Sequence, residues 1–394
     1  MPAGLTAYRT VLTDAPARAF SLAGFVARMP ISMTTIGIVL LVSLSTGSFG
    51  RAGLVAGIST AAGAVSAPLW GRTIDRVGQA RVLVTTSLTF TTGLALLAAS
   101  VLAGWPLALT LLAAAVVGLG FNSSGAAVRA RWNHRLQGSP LLETAFAVEA
   151  VLDEVIFIVG PVLVTFLATA VHPVAALGTS AALGLVGSFV LASRRSTEPP
   201  RHPRRAAAAA PARLSPTALL PMVFASVALG AIFGGMEVVV VAYATESGLL
   251  PYAGAFLMAW AVGSLVAGVV VGTITWRRPP AFRFRVGAAA LALSLVPLPL
   301  VGAPALVAVL LTVSGMAIAP TMIASVGVTR ALVPQARLTE ALGWNSTGLA
   351  AGLALGASVL GQLVDRGGPQ LGFTGVVGAG VLLILAALGV RSRG

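Results

Sequence analysis

Twelve stretches of this chain, at approximately 20–44, 53–70, 82–103, 105–127, 145–169, 173–191, 219–244, 252–275, 284–301, 303–326, 341–364 and 372–390, are predominantly apolar. Each is close to the ~20 residues that a helix needs to cross the hydrocarbon of a bilayer. With 57% hydrophobic and 9% charged residues over 394 positions, there is too little polar surface to coat a water-soluble fold, and the bilayer must serve as solvent. A membrane barrel would instead show short alternating segments. Glycine is abundant within the stretches, which suits close helix packing. The expectation is an all-α membrane protein with twelve transmembrane helices.

The charge distribution orients these spans. All 25 basic residues are arginine, giving a net charge of +14, but they do not gather on one soluble face as a nucleic-acid-binding protein would require. If the N-terminus is inside, 22 of the 25 fall on one side, and only Arg28, Arg51 and Arg366 fall elsewhere. The excess of arginine in alternate loops predicts cytoplasmic termini. Pro2, Arg9, Asp14 and Pro16 before a long apolar run resemble an uncleaved signal anchor. The outer connections Gly104-Trp105-Pro106 and Gly302-Ala303-Pro304 leave no room for an external domain.

The spans also form a repeat. Ala52-Gly53 and Ala253-Gly254 lie 201 residues apart, and each is followed eighteen positions after its glycine by Gly71 or Gly272, then by Arg76 or Arg277. A second echo pairs Glu143-Thr144-Ala145 with Thr339-Glu340-Ala341, with Gly160 and Gly356 at equal distances beyond. Both acids fall in a first helical turn, which suits the helix dipole and points to a structural role. Between the copies, Ser193 to Pro216 carries five prolines and six arginines and reads as a flexible basic linker. The expected organisation is two pseudo-symmetric six-helix bundles, 1–192 and 217–394, joined by a cytoplasmic linker at 193–216. Parallel repeats of this kind are a feature of secondary transporters.

The chain lacks cysteine and lysine, which excludes disulfides, iron–sulfur clusters, a Walker lysine and a Schiff base. No nucleophile–base pair is visible, so no enzymatic activity is expected. His134, His172 and His202 fall in separate connections, against a metal site, and no cofactor is expected beyond a proton as coupling ion.

One connection carries a motif. Gly71-Arg72-Thr73-Ile74-Asp75-Arg76-Val77-Gly78-Gln79-Ala80-Arg81 resembles the loop signature of the major facilitator superfamily, Gly-x-x-x-Asp-Arg-x-Gly-Arg-Arg. Gly71, Asp75, Arg76 and Gly78 agree; Gln79 and Ala80 replace the basic pair, and Arg81 supplies a later charge. The resemblance extends over the chain through the spans, the repeat and the linker. It implies the major facilitator fold and a gating loop in which Asp75 latches the two halves in one state and releases them in the other. Gly160-Pro161 resembles the core of the antiporter signature of drug exporters in this superfamily, without the glycine pair that usually follows.

Charges inside the spans mark candidate functional groups. Arg28, near the middle of the first span, costs about 2.5–3.5 kcal/mol at mid-bilayer and must find an anion. The fifth span offers Glu149, Asp153 and Glu154; the first two share a helical face and the third is turned about 100° from Asp153. In the implied fold the first and fifth spans are neighbours, and Arg28 is expected to pair with Asp153 or Glu154. A surplus carboxyl in low dielectric can exchange a proton near neutral pH, which makes Glu154 the first candidate carrier. Glu237 in the seventh span is a further candidate. Asn122, Ser123, Ser124, Thr321, Trp344 and Asn345 are candidate cavity-lining groups.

These readings converge on a monomeric secondary transporter of the bacterial inner membrane, coupled to protons and exporting small, largely apolar organic compounds, with the lipid bilayer and a small substrate as partners and no nucleic acid. Uptake of a small solute is the alternative within the class. A non-transporting receptor or assembly factor on the same scaffold is the alternative outside it, though it would be expected to lose the mid-membrane acids.

Overall fold

The structure is a computed structural model that describes residues 5–121, 124–139, 141–200, 216–274, 276–333 and 337–390. Every regular element among the described residues is a helix. A short helix, α1 (Leu5–Thr13), leads into α2 (Ala15–Arg28) and α3 (Pro30–Thr46), which together form one apolar span broken at Met29. Pro30 lacks the amide hydrogen that would continue the ladder, so the helical hydrogen bonding is interrupted directly after Arg28. Next come α4 (Phe49–Val77), α5 (Gln79–Leu102), α6 (Leu107–Leu119), α7 (Ser124–Arg135), α8 (Leu141–Ala170) and α9 (Pro173–Ser193). The rest of the chain forms α10 (Pro216–Glu246), α11 (Ala253–Thr273), α12 (Pro280–Leu295), α13 (Pro304–Gly315), α14 (Ile318–Leu332) and α15 (Leu338–Gly389).

Eleven described spans are long and apolar enough to cross a membrane. The last bends at Gly367 and Gly368, where Gly368 takes φ +72° immediately before Pro369, and so supplies two helices of membrane length. The fourth and tenth spans, expected to be continuous, are each split: α6 from α7 after Gly120, and α13 from α14 at Met316–Ala317. Large apolar side chains such as Leu112, Phe166, Leu293 and Leu385 are exposed, the inverse of a water-soluble surface.

The described helices form two compact units, residues 1–37 with 62–206, and 38–61 with 207–394. In the first, α5 packs on α6 and α9, and α2 on α9. In the second, α10 runs along α15, and α11 and α12 pack on α13 and α14. Backbone contact replaces interdigitating side chains at the tightest crossings. A Cβ on Gly187 would lie 2.3 Å from the Ala27 nitrogen, so α9 can approach α2 there only with glycine.

The sequence repeat has a physical counterpart in this packing. A Cβ on Gly160 of α8 would meet Ser32 Oγ of α3 at 1.9 Å, and one on Gly356 of α15 would meet the Ala231 carbonyl of α10 at 2.3 Å. The two copies thus use the same glycine position for the same crossing, fifth span on first and eleventh on seventh. Ser32 also donates to the Ile156 carbonyl at 2.8 Å, in the turn before Pro161. Gly160-Pro161 therefore has a packing role in this chain.

Candidate functional site

The break after Arg28 leaves that side chain at the end of α2, facing α8. Arg28 is 1% exposed and Glu149 is fully buried; Arg28 Nη2 lies 2.5 Å from Glu149 Oε2. Its Nη1 lies 2.9 Å from Asp153 Oδ1, and its Nε donates to the Gly24 carbonyl at 3.1 Å. One guanidinium therefore spans two carboxylates four residues apart on one helical face. Glu149 is satisfied on its other oxygen as well: Ser21 donates to Oε1 at 2.5 Å and the Trp132 indole at 2.8 Å. Trp132 is held edge-on by Phe20, with centroids 4.9 Å apart. Donors from α2 and α7 thus converge on both oxygens of an acid on α8, which is what a buried carboxylate requires.

Asp153 joins this buried core to a more open edge. Its side chain is 30% exposed, and Oδ2 accepts from Arg129 Nη2 at 2.7 Å, with Arg129 itself 46% exposed. Of the two partners expected from sequence, the structure brings Asp153 to Arg28 and not Glu154, and it adds Glu149. Arg28 takes Glu149 and Asp153, and Glu154, turned off that face, has no hydrogen bond or ion pair among the described residues. Arg129 was counted with the loop arginines because the fourth span was expected to end near it. The split after Gly120 instead places Arg129 on the separate helix α7, beside α8.

Glu237 lies in the other unit, on α10. It is partly buried between the fully buried Met236 and Val238, and its Oε2 is shielded from solvent without a hydrogen-bond partner among the described residues. No described acid in this unit is paired as Glu149 is; the Arg337–Glu340 ion pair, at 2.7 Å, lies at the exposed start of α15.

The signature connection is mostly helix. α4 continues through Val77, and the turn is concentrated at Gly78, with φ +94°, a conformation that explains why glycine stands there. Gly71 lies inside α4, and Arg76 and Arg81 are exposed. The side chain of Asp75 is outside the described residues. The departure at Gln79 has a structural reason: Gln79 is buried, its Oε1 accepts from Arg131 Nε at 2.8 Å, and its Nε2 donates to the Ala127 carbonyl at 3.3 Å. Arg131 Nη1 reaches the Arg194 carbonyl at 3.0 Å and Thr197 Oγ1 at 2.8 Å, and Glu198 Oε1 accepts from the Gln79 amide at 2.5 Å, capping α5. An arginine at position 79 would bring a second guanidinium against Arg131. The start of the expected linker is thus a fixed strap; residues 201–215 of the linker lie outside the described residues.

Among the cavity candidates, Asn122 and Ser123 lie outside the described residues. Ser124 and Thr321 are fully buried, and Thr321 turns its hydroxyl back to the Ala317 carbonyl at 2.7 Å. Asn345 donates to Thr329 Oγ1 at 2.7 Å, and its Oδ1 is shielded without a partner among the described residues. Trp344 is exposed.

Sequence reasoning also passed over Asp365. Asp365, in the second unit, accepts from Ser48 Oγ at 2.6 Å, from the Phe49 amide at 2.7 Å and from the Gly50 amide at 2.9 Å, capping the start of α4 from outside the helix. Below it, a Cβ on Gly53 would lie 1.9 Å from the Ala357 carbonyl, so the glycine of the first Ala-Gly pair is needed where α4 meets α15. The available signal was that Asp365 is the sole acid between Glu340 and the end of the chain.

A sequence profile described as the Major Facilitator Superfamily matches residues 20–326. No curated protein sequence matches the chain. Among solved structures, a mutant of the nucleoside transporter NupG superposes with a TM-score of 0.75 at 17% identity, covering 96% of this chain and 99% of that one. The peptide transporter POT in complex with sulfate gives 0.75 at 16% identity, covering 95% and 93%. The human organic anion transporter MFSD10 (TETRAN) gives 0.60 at 16% identity, covering 98% and 99%. At these identities the likeness is one of fold.

Proposed function

The chain belongs to the major facilitator superfamily, and from that premise we propose that it is a proton-coupled secondary transporter that exports small, largely apolar organic compounds by alternating access. The observation that carries the coupling is the division of the mid-span acids into two classes. Glu149 and Asp153 are engaged by arginines, whereas Glu154 and Glu237 Oε2 have no hydrogen-bond partner among the described residues. Protonating a carboxyl that faces a buried arginine removes part of that arginine's counter-charge, a cost that a carboxyl without a cationic partner does not carry. Glu154 and Glu237 are therefore assigned the proton, and Arg28, Glu149 and Asp153 the scaffold that holds α2 to α8.

The substrate class follows from what is left to bind it. Thr321 and the amide nitrogen of Asn345 are committed to partners within the protein, whereas Trp344 presents an exposed aromatic face. Among the described candidates, few groups remain for a solute that needs many hydrogen bonds. The partly exposed Arg129–Asp153 pair favours a second reading, uptake of a solute with charged ends, and the structural likeness to a peptide transporter is compatible with it. Proteoliposomes loaded with a pH-sensitive dye separate the two. Apolar cations or neutral aromatics should release the imposed proton gradient in wild-type vesicles, and dipeptides and nucleosides should not; the opposite pattern favours uptake.

The arginine asymmetry supports cytoplasmic termini and a cytoplasmic strap at 194–198, and the short loops and all-arginine basicity support a bacterial inner membrane. In this cysteine-free chain, Ser196→Cys should be protected and Gly104→Cys labelled by an impermeant thiol reagent added to intact cells. Labelling of position 196 contradicts this orientation.

A further inference from the structure

Residues 247–339 contain six arginines and no aspartate or glutamate. Four of these, Arg277, Arg278, Arg283 and Arg285, flank the connection between α11 and α12. Arg285 is anchored to the end of α15, where its Nε donates to the Ala387 carbonyl at 3.3 Å and Nη2 to that of Val390. Arg278 and Arg283 have no such anchor: neither has an ion pair or a hydrogen bond among the described residues, and the Nε of Arg283 is shielded from solvent without a partner. Each instead rests near an aromatic ring, Arg278 at 5.5 Å from the centroid of Phe282 and Arg283 at 5.3 Å from that of Trp276.

These two guanidiniums stand at the mouth of a cavity of about 410 Å³ between α11, α12 and the α13–α14 pair, all within the second unit. Beyond the mouth the lining is apolar. The one hydroxyl among its described lining residues, that of Ser294, is returned to the Leu291 carbonyl at 2.7 Å, so none of these residues along the shaft calls for a polar ligand. From Arg283 to Ser294 the shaft follows α12 for roughly 16 Å at the helical rise per residue. Val286, Val313 and Ile323 line it and are exposed, which in a membrane-spanning helix means that the shaft opens sideways to hydrocarbon.

We propose that this cavity is a seat for an anionic phospholipid of the surrounding bilayer, with the phosphate at Arg278 and Arg283 and one acyl chain along α12. Charge complementarity selects the headgroup: two cations without a counter-ion, one with a shielded unsatisfied donor, match a phosphodiester oxygen pair. Trp276 sits at the same level, as tryptophan does at membrane interfaces. The apolar, laterally open shaft selects a lipid over a soluble phosphate, because a soluble anion would leave it unfilled.

Native mass spectrometry of the full chain in detergent, titrated with phosphatidylglycerol or phosphatidylcholine of identical acyl chains, reads this directly. Wild-type protein is expected to retain phosphatidylglycerol in preference. Arg278→Ala with Arg283→Ala should weaken phosphatidylglycerol binding about 30-fold, the change expected if each cation contributes as a juxtamembrane basic residue does. Arg278→Lys with Arg283→Lys, which keeps the charge, should remain within roughly threefold of wild type. Ala290→Trp, which fills the shaft and leaves both arginines in place, should also lose the lipid. Equal retention of the two lipids by wild type, unchanged binding in the alanine pair, or unchanged binding in Ala290→Trp each overturns the proposal. So does inorganic phosphate that raises the thermal midpoint as much as phosphatidylglycerol does, which would assign the arginines to a soluble anion. If the alanine pair does not fold, the wild-type lipid preference and Ala290→Trp still decide it.

Discussion

Arg28 and Glu237 are both ionisable groups within apolar spans, one in each compact unit, yet they are solved in opposite ways. Arg28 is embedded against two carboxylates, and the deeper one, Glu149, draws further donors from Ser21 and Trp132. Glu237 has apolar neighbours in its own helix, and Oε2 has no hydrogen-bond partner among the described residues. A charge that costs several kcal/mol to desolvate is kept in the first case because the network returns most of that cost, and it can be left alone in the second because a carboxyl, unlike a guanidinium, can carry a proton. On the proposed function, that difference separates the scaffold from the proton carriers.

The comparison can be broken most forcefully at Arg28. Arg28→Met leaves Glu149 buried with only Ser21 and Trp132, and a loss of about 3–5 kcal/mol is expected. Adding Glu149→Gln to that variant should restore part of the loss, and unfolding in mild detergent measures both. A double variant no more stable than Arg28→Met alone would mean that the pair is not a desolvated unit. Trp132→Phe removes one donor and keeps the ring against Phe20, so a smaller loss of about 1–3 kcal/mol is expected in the same assay. Asp365→Ala tests a carboxylate that is exposed rather than buried. It uncaps α4, and a loss of about 1 kcal/mol is expected, within the range of a helix N-cap. At the small end, Glu237→Gln should change stability by less than about 0.5 kcal/mol, since its unpartnered oxygen has no hydrogen bond to lose.

Much of this architecture was legible in the chain. The apolar runs give the spans because a bilayer admits only helices or closed barrels, and runs of this length without alternation leave helices. The repeat was legible because Gly160 and Gly356 stand at matching positions of the two copies, Gly160 packed against the Ser32 side chain and Gly356 against the Ala231 backbone. The pairing of Arg28 was only half legible. Helical phase put Glu149 and Asp153 on one face, but the depth of Glu149 depends on Trp132 and Ser21 arriving from other helices, and a single sequence does not report such convergence. The splits after Gly120 and near Met316 were hidden because an apolar run reads alike whether its backbone is continuous or broken, and that concealed Arg129 as a partner. Glu198 and Asp365 were missed for a related reason. Each caps a helix remote in sequence, so neither forms a local capping pattern.

The central claim is that the carboxyls without partners carry the proton while the arginine-bound ones hold the fold. Its most direct test is uphill transport driven by an imposed pH gradient in proteoliposomes, run in parallel with gradient-free exchange of the same substrate. Glu154→Gln and Glu237→Gln, singly, should retain exchange and thermal stability, and at least one should abolish pH-driven accumulation. Full accumulation in both variants, or loss of coupling in Asp153→Asn with stability intact, would contradict the assignment.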